Sequence, residues 1–427
     1  MSERANPGYK IFIFWERNKW GYFYGRKEAL AREFAKVPDI KEVVCVERAM
    51  TPLDLARKLL QALFEKNAGV RRAAWFHIKK CLSPRPVRLS HNLLVFNPAV
   101  PFPLRVENAL PLARRCNLWL LSLQMRAVWK RFGGRKDGAD LVLFSPPQKY
   151  TEYLVSKCLE LGAQVFADLE DDVLDRARRR KVSGPLLDMY RGSYAFVLSK
   201  CRMSFAVGAD LAKDYAATFN AKIIHVPNGV KLNGETSPWD IDTHKDRDKR
   251  KSLLYVGNVN DKLNNIIAEQ ILSRYPDVKL KLLGTISPEV AKTWKTMARK
   301  HPNLSLAGPV QHREVQKHLN GADVFVQIKN PELCKGCDSL KLYEYLATGK
   351  PIVTTTVPPA ETFARLVYIA DGPESFSQEL GRALRESDPS LAAARREAVK
   401  EHSWEQRAKV ILQYMTDNEK LQEDRAF

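Results

Sequence analysis

Residues 337–355 read CDSLKLYEYLATGKPIVTT, and this order of residue types predicts a helix followed at once by a strand. Asp338 and Ser339 are residue types that favour a helix N-cap, and Gly349 is typical of the position just past a helix end. The β-branched run after Pro351 is typical of a buried strand. A helix that leads directly into a buried strand is the repeating unit of a parallel α/β sheet.

The same alternation of short apolar runs and amphipathic helical runs extends in both directions along the chain. On the N-terminal side, the predicted strands are 9–14, 42–46, 93–96, 139–144, 164–167, 202–207 and 223–226. On the C-terminal side, they are 252–256, 278–283, 304–307, 324–327, 352–355 and 366–369. The pattern predicts two doubly wound, Rossmann-like α/β domains with parallel strands, facing each other across a deep cleft.

The domain boundaries follow from a change in character between the two series. The stretch 231–251 is polar, contains Pro and Gly and has no apolar period, so we interpret it as a linker. We therefore expect an N-terminal domain over 1–230 and a second domain over 252–400, with a C-terminal helix in 401–427 that crosses back to the first domain.

Composition narrows the class of protein. The chain has 427 residues, of which 45% are hydrophobic and 28% charged, as in soluble globular proteins. It has no apolar run of about 18 residues and no N-terminal signal pattern, and its seven cysteines are scattered, which together favour a reducing, cytoplasmic location. Cys334 and Cys337 form a single C-x-x-C without a second pair, so we predict no metal site. The net charge of +20 calls for an anionic partner.

The start of the helix near Ser339 is the first candidate binding site. A helix N-terminus presents backbone N–H groups and a partial positive charge, which suit a phosphate group. Lys341 would add a full positive charge, and Glu344, one turn further, could accept hydrogen bonds from ribose hydroxyls. The alternative is a surface ion pair on an ordinary helix.

The string SLKLYEYLATGKPIV resembles the donor-nucleotide motif of family-4-type and related glycosyltransferases of the GT-B fold, including those of teichuronic-acid and surface-polysaccharide biosynthesis. Six further blocks are similar to that superfamily in order and spacing: VPNGV (226–230), LLYVG (253–257), LKLLG (280–284), NLSLAGP (303–309), ADVFVQ (322–327) and SWEQR (403–407). The resemblance covers nearly the whole chain. It implies a nucleoside-diphosphate sugar as donor, with neither a metal ion nor a cofactor.

Carried over by position, the resemblance implies a set of donor-binding residues. Lys341 corresponds to the lysine that binds the diphosphate, and Glu344 to the glutamate that binds ribose. The remaining implied contacts are Gly257 and Asn258 in the glycine loop, Lys262 as a second phosphate contact, and Ser339 and Leu340 at the helix start. Asn258 stands where many relatives have Arg, and Gly336 stands where many retaining members have Glu, so the stereochemistry stays open.

The sequence FADLEDDVLD at 166–175 is the second candidate site, because it follows a predicted strand. Clustered carboxylates repel one another, which raises pKa values and suits a general base. A similar acidic pattern in relatives implies catalytic roles for Asp168, Asp171 and Asp172. The alternatives are acidic residues that stabilise a helix start and a Mg²⁺ site, which the resemblance disfavours.

Two basic stretches, 70–89 and 176–181, indicate an anionic surface as partner. The first carries six Lys or Arg residues, no acidic residue and several aromatic and aliphatic side chains. Such a surface suits binding to anionic lipid head groups or to single-stranded nucleic acid. The alternative is a basic face that is exposed to solvent and binds no partner. We favour the membrane over nucleic acid. Trp15, Arg17, Trp20 and Arg26 follow the first strand and are candidates for acceptor contact.

Our sequence-based hypothesis is a cytoplasmic glycosyltransferase, peripheral to the inner face of the membrane. It would transfer a sugar to a glycan or lipid-linked acceptor in surface polysaccharide biosynthesis. Two alternatives stay open: a sugar-nucleotide epimerase of the same fold, and a nucleic-acid-binding protein that uses the basic surface.

Overall fold

The computed structural model describes residues 8–15, 20, 25–64, 71, 74–75, 78–79, 85–133, 140–147, 150–232, 250–310 and 312–417. These residues divide into two compact units. The N-terminal unit comprises Met1–Val226 together with Ala408–Phe427, and the C-terminal unit comprises Pro227–Arg407. Most of the stretch predicted as a linker, 233–249, lies outside the described residues, and the predicted domain bounds stay a prediction.

The N-terminal unit is built on a sheet of eight described strands in the order β3-β4-β2-β1-β5-β6-β7-β8. Every pairing is parallel except that of β3 with β4. The strands are β1 (Tyr9–Trp15), β2 (Ile40–Glu47), β3 (Val87–Arg88), β4 (Leu93–Phe96), β5 (Asp140–Phe144), β6 (Gln164–Leu169), β7 (Ser204–Ala206) and β8 (Ile223–His225). Apolar runs buried on both faces make up β4 and most of β1 and β5, namely residues 93–96, 11–15 and 141–144, as expected where helices cover a parallel sheet.

Helices pack on this sheet and bury a core of aliphatic and aromatic side chains. One contact that joins the layers is the stacking of Phe12 on β1 against Trp129, with ring centroids 4.0 Å apart. The helices are α1 (Arg26–Phe34), α2 (Pro52–Phe64), α3 (Leu104–Ala109), α4 (Pro111–Phe132), α5 (Thr151–Glu160), α6 (Val173–Arg179), α7 (Gly184–Lys200) and α8 (Ala209–Phe219).

Helix α4 is absent from the predicted elements, although it has 22 residues. Its buried face carries Leu121, Met125 and Trp129, which a helical period would reveal. The opposite face carries Leu112, Trp119 and Leu123, which are exposed. With apolar side chains on both faces, the helical apolar period is blurred, so the pattern does not indicate a helix.

The C-terminal unit has six described strands in the order β11-β10-β9-β12-β13-β14, and all of their pairings are parallel. The strands are β9 (Ser252–Val256), β10 (Lys279–Leu283), β11 (Leu304–Gly308), β12 (Val324–Gln327), β13 (Ile352–Thr354) and β14 (Tyr368–Ile369). Counted from β9, this is the order 3-2-1-4-5-6 of a dinucleotide-binding sheet, and the strand order reverses between β9 and β12. The prediction of two doubly wound, parallel α/β domains is confirmed.

Along the chain, the first four helices of the C-terminal unit alternate with its strands, and the last two follow β14. They are α9 (Asn265–Arg274), α10 (Pro288–Lys300), α11 (His312–Gly321), α12 (Leu340–Thr348), α13 (Pro373–Arg385) and α14 (Pro389–Ala398), and short 3₁₀ turns occur at Pro331–Leu333, Ala360–Phe363 and Lys400–His402. A last helix, α15 (Trp404–Thr416), begins in this unit and ends in the residues that cluster with the N-terminal unit. Among the described residues, every helix is too short or too polar to traverse a lipid bilayer.

Helix α12, which the opening motif predicts, is fixed to the sheet by Tyr345. This side chain is fully buried and stacks on Phe325 of β12, with ring centroids 4.4 Å apart. Its hydroxyl accepts a hydrogen bond from the N–H of Val256, the last residue of β9, at 2.8 Å. Gly349 ends the helix with a φ of 77°, which favours glycine. The start of α12 therefore lies at a fixed position beside the carboxyl ends of β9 and β12.

Candidate functional site

The candidate site begins where the loops after β9 and β10 touch. Gly257 and Gly284 have φ values of 148° and 154°. A Cβ placed on Gly284 would lie 1.9 Å from the carbonyl oxygen of Gly257, so no other residue type fits there. The N–H of Gly257 donates to the carbonyl of Leu283 at 2.9 Å. The two glycines keep the backbone close to the sheet edge and free of side chains.

The loop after β9 also pairs with the loop after β12. Leu263 and Lys329 form an antiparallel bridge. The N–H of Asn330 donates to the carbonyl of Lys262 at 2.8 Å, and the N–H of Asn264 donates to the carbonyl of Ile328 at 2.9 Å. This short ladder lies where the strand order reverses, the position at which open α/β sheets bind ligands. It makes Lys262 and Lys329 neighbours, although they are far apart in sequence.

The start of α12 is the third component. Ser339 occupies the N-cap position, but its side chain makes no capping hydrogen bond. Its hydroxyl donates to Gln327 Oε1 at 2.6 Å and lies 3.3 Å from Lys329 Nζ. Of the two residues that favour an N-cap, Ser339 and not Asp338 takes this position, and the Asp338 carboxylate accepts from the Tyr343 hydroxyl at 3.0 Å and from the backbone N–H of Asn228. The hydroxyl of the N-cap residue Ser339 thus points to Gln327 and Lys329 and does not cap the first turn.

Three lysines converge at this place, and we call Lys262, Lys329 and Lys341 the lysine cluster. Lys341 Nζ lies 3.1 Å from Glu344 Oε2, so the two residues predicted to bind diphosphate and ribose are paired with each other. Lys262 Nζ lies 3.1 Å from Cys337 Sγ.

The mutual repulsion of the positive charges in the lysine cluster affects the pKa of Lys329. Burial lowers the pKa of Lys329 below its usual value, and the like charges of Lys262 and Lys341 lower it further, whereas Cys334 and Cys337 act in the opposite direction. Neighbouring like charges favour binding of an anion, which relieves their repulsion. Lysine ammonium groups and the backbone N–H groups of a helix start both bind phosphate in proteins.

Lys329 is a residue that the sequence analysis does not identify. The only signal for it is position: Lys329 comes two residues after the end of β12, where the chain leaves the carboxyl edge of the sheet. Gly257, Lys262, Ser339, Lys341 and Glu344 lie around the same edge. The binding roles assigned to these residues, and to Asn258 and Leu340 beside them, stay predictions.

In the N-terminal unit, Asp168 lies at the end of β6 and is fully buried. Its carboxylate accepts from Arg26 Nε at 3.0 Å and contacts Lys27 Nζ. Burial by itself would raise the pKa of Asp168, but the charges of Arg26 and Lys27 outweigh it and lower the pKa to about 2. The raised pKa expected from clustered carboxylates is therefore wrong for Asp168. Its catalytic role stays a prediction, and this geometry is that of a buried ion pair.

The other two carboxylates lie on the turn after β6. Asp172 is the N-cap of α6 and accepts from the N–H of Asp175 at 2.8 Å and from the Tyr215 hydroxyl at 2.9 Å. Asp171 lies 3.1 Å from Arg176, and its side chain is 37% exposed. The interpretation of this sequence as an acidic helix start thus describes Asp172, whereas Asp171 presents its carboxylate to solvent.

The residues predicted to contact the acceptor, and the basic stretch 70–89, are only partly described by the structure. Trp15 and Trp20 are buried, and Arg26 is engaged with Asp168. Arg17 and half of the residues in 70–89 lie outside the described residues. A pocket at the carboxyl ends of β1 and β2 is lined by Phe14, Val46, Glu47, Arg48, Ala49, Pro98, Leu121, Tyr150 and Leu154.

Comparison with known proteins supports the resemblance. Residues 250–386 match the family of glycosyl transferases group 1. TuaH of Bacillus subtilis, named as a teichuronic acid biosynthesis glycosyltransferase, is 23% identical over 168 residues. This match covers 38% of the chain and 42% of TuaH, so the chain spans less than half the length of that relative.

Solved structures match over almost the whole chain. A glycosyltransferase from Rickettsia africae is 11% identical with a TM-score of 0.61, covering 96% of this chain and 100% of its own. HepE of Anabaena, solved with UDP-glucose, is 13% identical with a TM-score of 0.55, covering 98% and 99%. A UDP-N-acetylglucosamine 2-epimerase is 14% identical with a TM-score of 0.51, covering 95% of each chain. At these identities the likeness concerns the fold.

The order of the strands, the glycine loop beside the start of α12 and the family match over 250–386 agree with one another. The C-terminal unit therefore matches the group 1 glycosyltransferases over residues 250–386, and the chain has the GT-B fold of two Rossmann-like domains.

Proposed function

We propose that the protein transfers a sugar from a nucleoside-diphosphate sugar to a glycan or lipid-linked acceptor. The observation that carries the proposal is the lysine cluster: lysines from three separate segments meet at the reversal of strand order, beside a helix start whose N-cap residue makes no capping hydrogen bond with its side chain. A diphosphate bound there meets ammonium groups and backbone N–H groups together. The complex of HepE with UDP-glucose makes UDP the first nucleotide to test.

The cluster also supplies the chemistry that transfer requires. When the bond from the anomeric carbon to the diphosphate breaks, negative charge develops on the leaving phosphate. Groups that are fixed in place before the reaction stabilise this charge most effectively. Lys262 and Lys329 are fixed by the backbone ladder between their loops, and Lys341 by the anchored helix α12. The reaction then needs neither a metal ion nor a cofactor for this step.

Glu344 would hold the ribose. In the structure its carboxylate accepts from Lys341 at 3.1 Å. When a diphosphate engages Lys341, this carboxylate becomes available to accept from ribose hydroxyls. The ion pair therefore keeps both side chains ordered before the donor arrives.

An inverting reaction requires a base for the acceptor hydroxyl. Asp168 is engaged by Arg26 and Lys27 and does not reach solvent. Asp172 is used in capping α6. Among the three predicted catalytic carboxylates, Asp171 is thus the one whose exposure favours this role. In a retaining reaction the diphosphate itself would take the proton, and Asp171 would bind the acceptor.

We place the acceptor near an anionic membrane at the cytoplasmic face, on the evidence of α4. This helix contains five Arg or Lys residues and no acidic residue. Its outer face carries Leu112 and Trp119, whose exposed fractions are 76% and 61%. Aromatic and aliphatic side chains among basic residues are typical of helices that lie in the membrane interface. A lipid-linked acceptor fits this surface. TuaH is named as a teichuronic acid biosynthesis glycosyltransferase, and this name is our lead for a role in surface polysaccharide biosynthesis.

The proposal is tested by a thermal-shift panel of nucleoside diphosphates and their sugars. We expect at least one to stabilise the protein, and the stabilisation to disappear in Lys341→Ala. An unchanged shift in that variant would remove Lys341 from the donor site.

The two rival functions are separated by further assays. Turnover of the nucleotide sugar to an epimer without any acceptor would favour the epimerase, a function that the matched fold also hosts. A steeply salt-dependent affinity for polynucleotide, with no affinity for nucleoside diphosphates, would favour a nucleic-acid-binding protein.

A further inference from the structure

Two cysteines lie next to the lysine cluster, and the proposed donor chemistry does not use them. Cys334 follows the turn at Pro331–Leu333, and Cys337 comes just before the start of α12. The N–H of Cys337 donates to the carbonyl of Cys334 at 3.0 Å, which closes a four-residue turn. Gly336 has a φ of 71°, as the third position of a type II turn requires.

The turn brings the two cysteines to a separation that suits a disulfide. The first and last Cα atoms of a β-turn are less than about 7 Å apart. Disulfides span Cα separations of about 4.4–6.8 Å. The Cα separation that the turn sets is therefore compatible with a disulfide between Cys334 and Cys337.

The surroundings favour a thiolate at Cys337. A hydrogen bond with Cys334 is the largest cause that lowers the pKa of Cys337, and the charges of Lys262 and Lys329 add to it. The same hydrogen bond and burial raise the pKa of Cys334. Cys337 is partly exposed, whereas Cys334 is buried. The pair thus consists of an accessible nucleophile and a protected second thiol, the arrangement found in redox-active dithiols.

We propose that Cys334 and Cys337 are a redox-active dithiol that a small-molecule disulfide, such as glutathione disulfide, converts to an intramolecular disulfide. The Cys337 thiolate attacks one sulfur of glutathione disulfide, and one glutathione thiolate leaves. The Cys334 thiol then loses its proton and attacks the sulfur of Cys337, and the second glutathione leaves. Two protein thiols are oxidised and one disulfide is reduced to two thiols, so the exchange balances and is reversible.

The oxidation state would also change the charge of the lysine cluster; this consequence rests on the proposed function. In the dithiol form Lys262 lies 3.1 Å from the Cys337 sulfur, which competes with a diphosphate for its ammonium group. The disulfide carries no negative charge. We therefore expect the disulfide form to bind UDP more tightly, by about threefold or more.

The dithiol is tested by exposing the full-length protein to glutathione disulfide and mapping its peptides by mass spectrometry. Wild type should lose two hydrogen atoms from the peptide that contains both cysteines. Cys334→Ser should retain one glutathione on Cys337, and this adduct should form faster than the one on the partly exposed Cys116, which serves as internal control. Absence of the disulfide in wild type, or equal rates at Cys337 and Cys116, would overturn the proposal.

A second arm measures UDP affinity by calorimetry in the reduced and oxidised forms. Tighter binding by the oxidised form supports the link to the donor site, and equal affinities refute it. Binding to neither form would contradict the proposed donor site and its redox tuning, while the mass-spectrometric result would still decide the dithiol chemistry by itself.

Discussion

Replacing Lys329 by Ala is the most informative change in the donor site, because the role of this lysine is inferred from the fold and not from the sequence motif. Its ammonium group lies 3.3 Å from the hydroxyl of Ser339, at the N-cap of α12. A hydrogen bond between charged groups contributes about 1.5–3 kcal/mol. Loss of one such bond to a diphosphate should weaken UDP binding by about 10- to 150-fold.

The assay is isothermal titration of UDP into wild type, Lys329→Ala and a matched control. Lys292→Ala removes the same charge from an exposed position on α10 of the same unit and should change the affinity by less than about twofold. Unfolding midpoints of all three proteins should be compared, so that loss of the fold is not mistaken for loss of binding. Equal affinities of Lys329→Ala and Lys292→Ala would refute the assignment of Lys329 to the donor site.

Further predictions concern pH, the buried ion pair, the glycine contact and the outer face of α4. Burial and like charges lower the pKa of Lys329, so its ammonium group loses its proton at a lower pH than an ordinary lysine does. UDP affinity should therefore fall with rising pH more steeply in wild type than in Lys329→Ala. Titration of UDP at several pH values measures this difference. Asp168→Asn should destabilise the protein to urea by about 3–5 kcal/mol, since the buried Arg26 and Lys27 lose the carboxylate that both contact. In wild type, protonation of Asp168 should remove part of this stability as pH falls from 3.8 towards 2, and an unaltered urea midpoint would contradict the ion-pair account. Gly284→Ala should cost about 2 kcal/mol or more of stability, because its Cβ would collide with a carbonyl oxygen, whereas Gly321→Ala has open space and serves as control. Trp119→Ser should reduce flotation with anionic vesicles relative to Ile266→Ser, an exposed apolar position in the other unit; equal flotation would argue against a membrane face on α4.

The sequence is sufficient to predict the two α/β units, because the central parallel strands contain short apolar runs that are buried on both faces. The predicted strand 252–256 coincides with β9, and 93–96 coincides with β4. Helix α4 could not be predicted in this way, because Leu112, Trp119 and Leu123 place apolar side chains on its solvent face.

Some residues of the candidate site can be found from local sequence, whereas others depend on contacts between distant parts of the chain. Lys341 and Glu344 are found from sequence because both lie on one helical turn of a recognisable motif. Lys329 is not, because its position depends on a ladder between two loops that are distant in the chain.

The ion pair of Asp168 with Arg26 likewise joins residues that are 142 positions apart. Seen as sequence alone, Asp168 is one of five clustered carboxylates, and repulsion among them predicts a raised pKa. The fold brings two cations to Asp168 instead, and this reverses the direction of the shift.

The central claim is that a nucleoside diphosphate binds at the lysine cluster beside the start of α12. A crystal structure of the complex with UDP tests it most directly, through the distances from the diphosphate oxygens to Nζ of Lys262, Lys329 and Lys341. We expect at least two of these nitrogens within hydrogen-bonding distance of phosphate oxygens, and Glu344 at the ribose. A diphosphate bound away from the start of α12 would contradict the account.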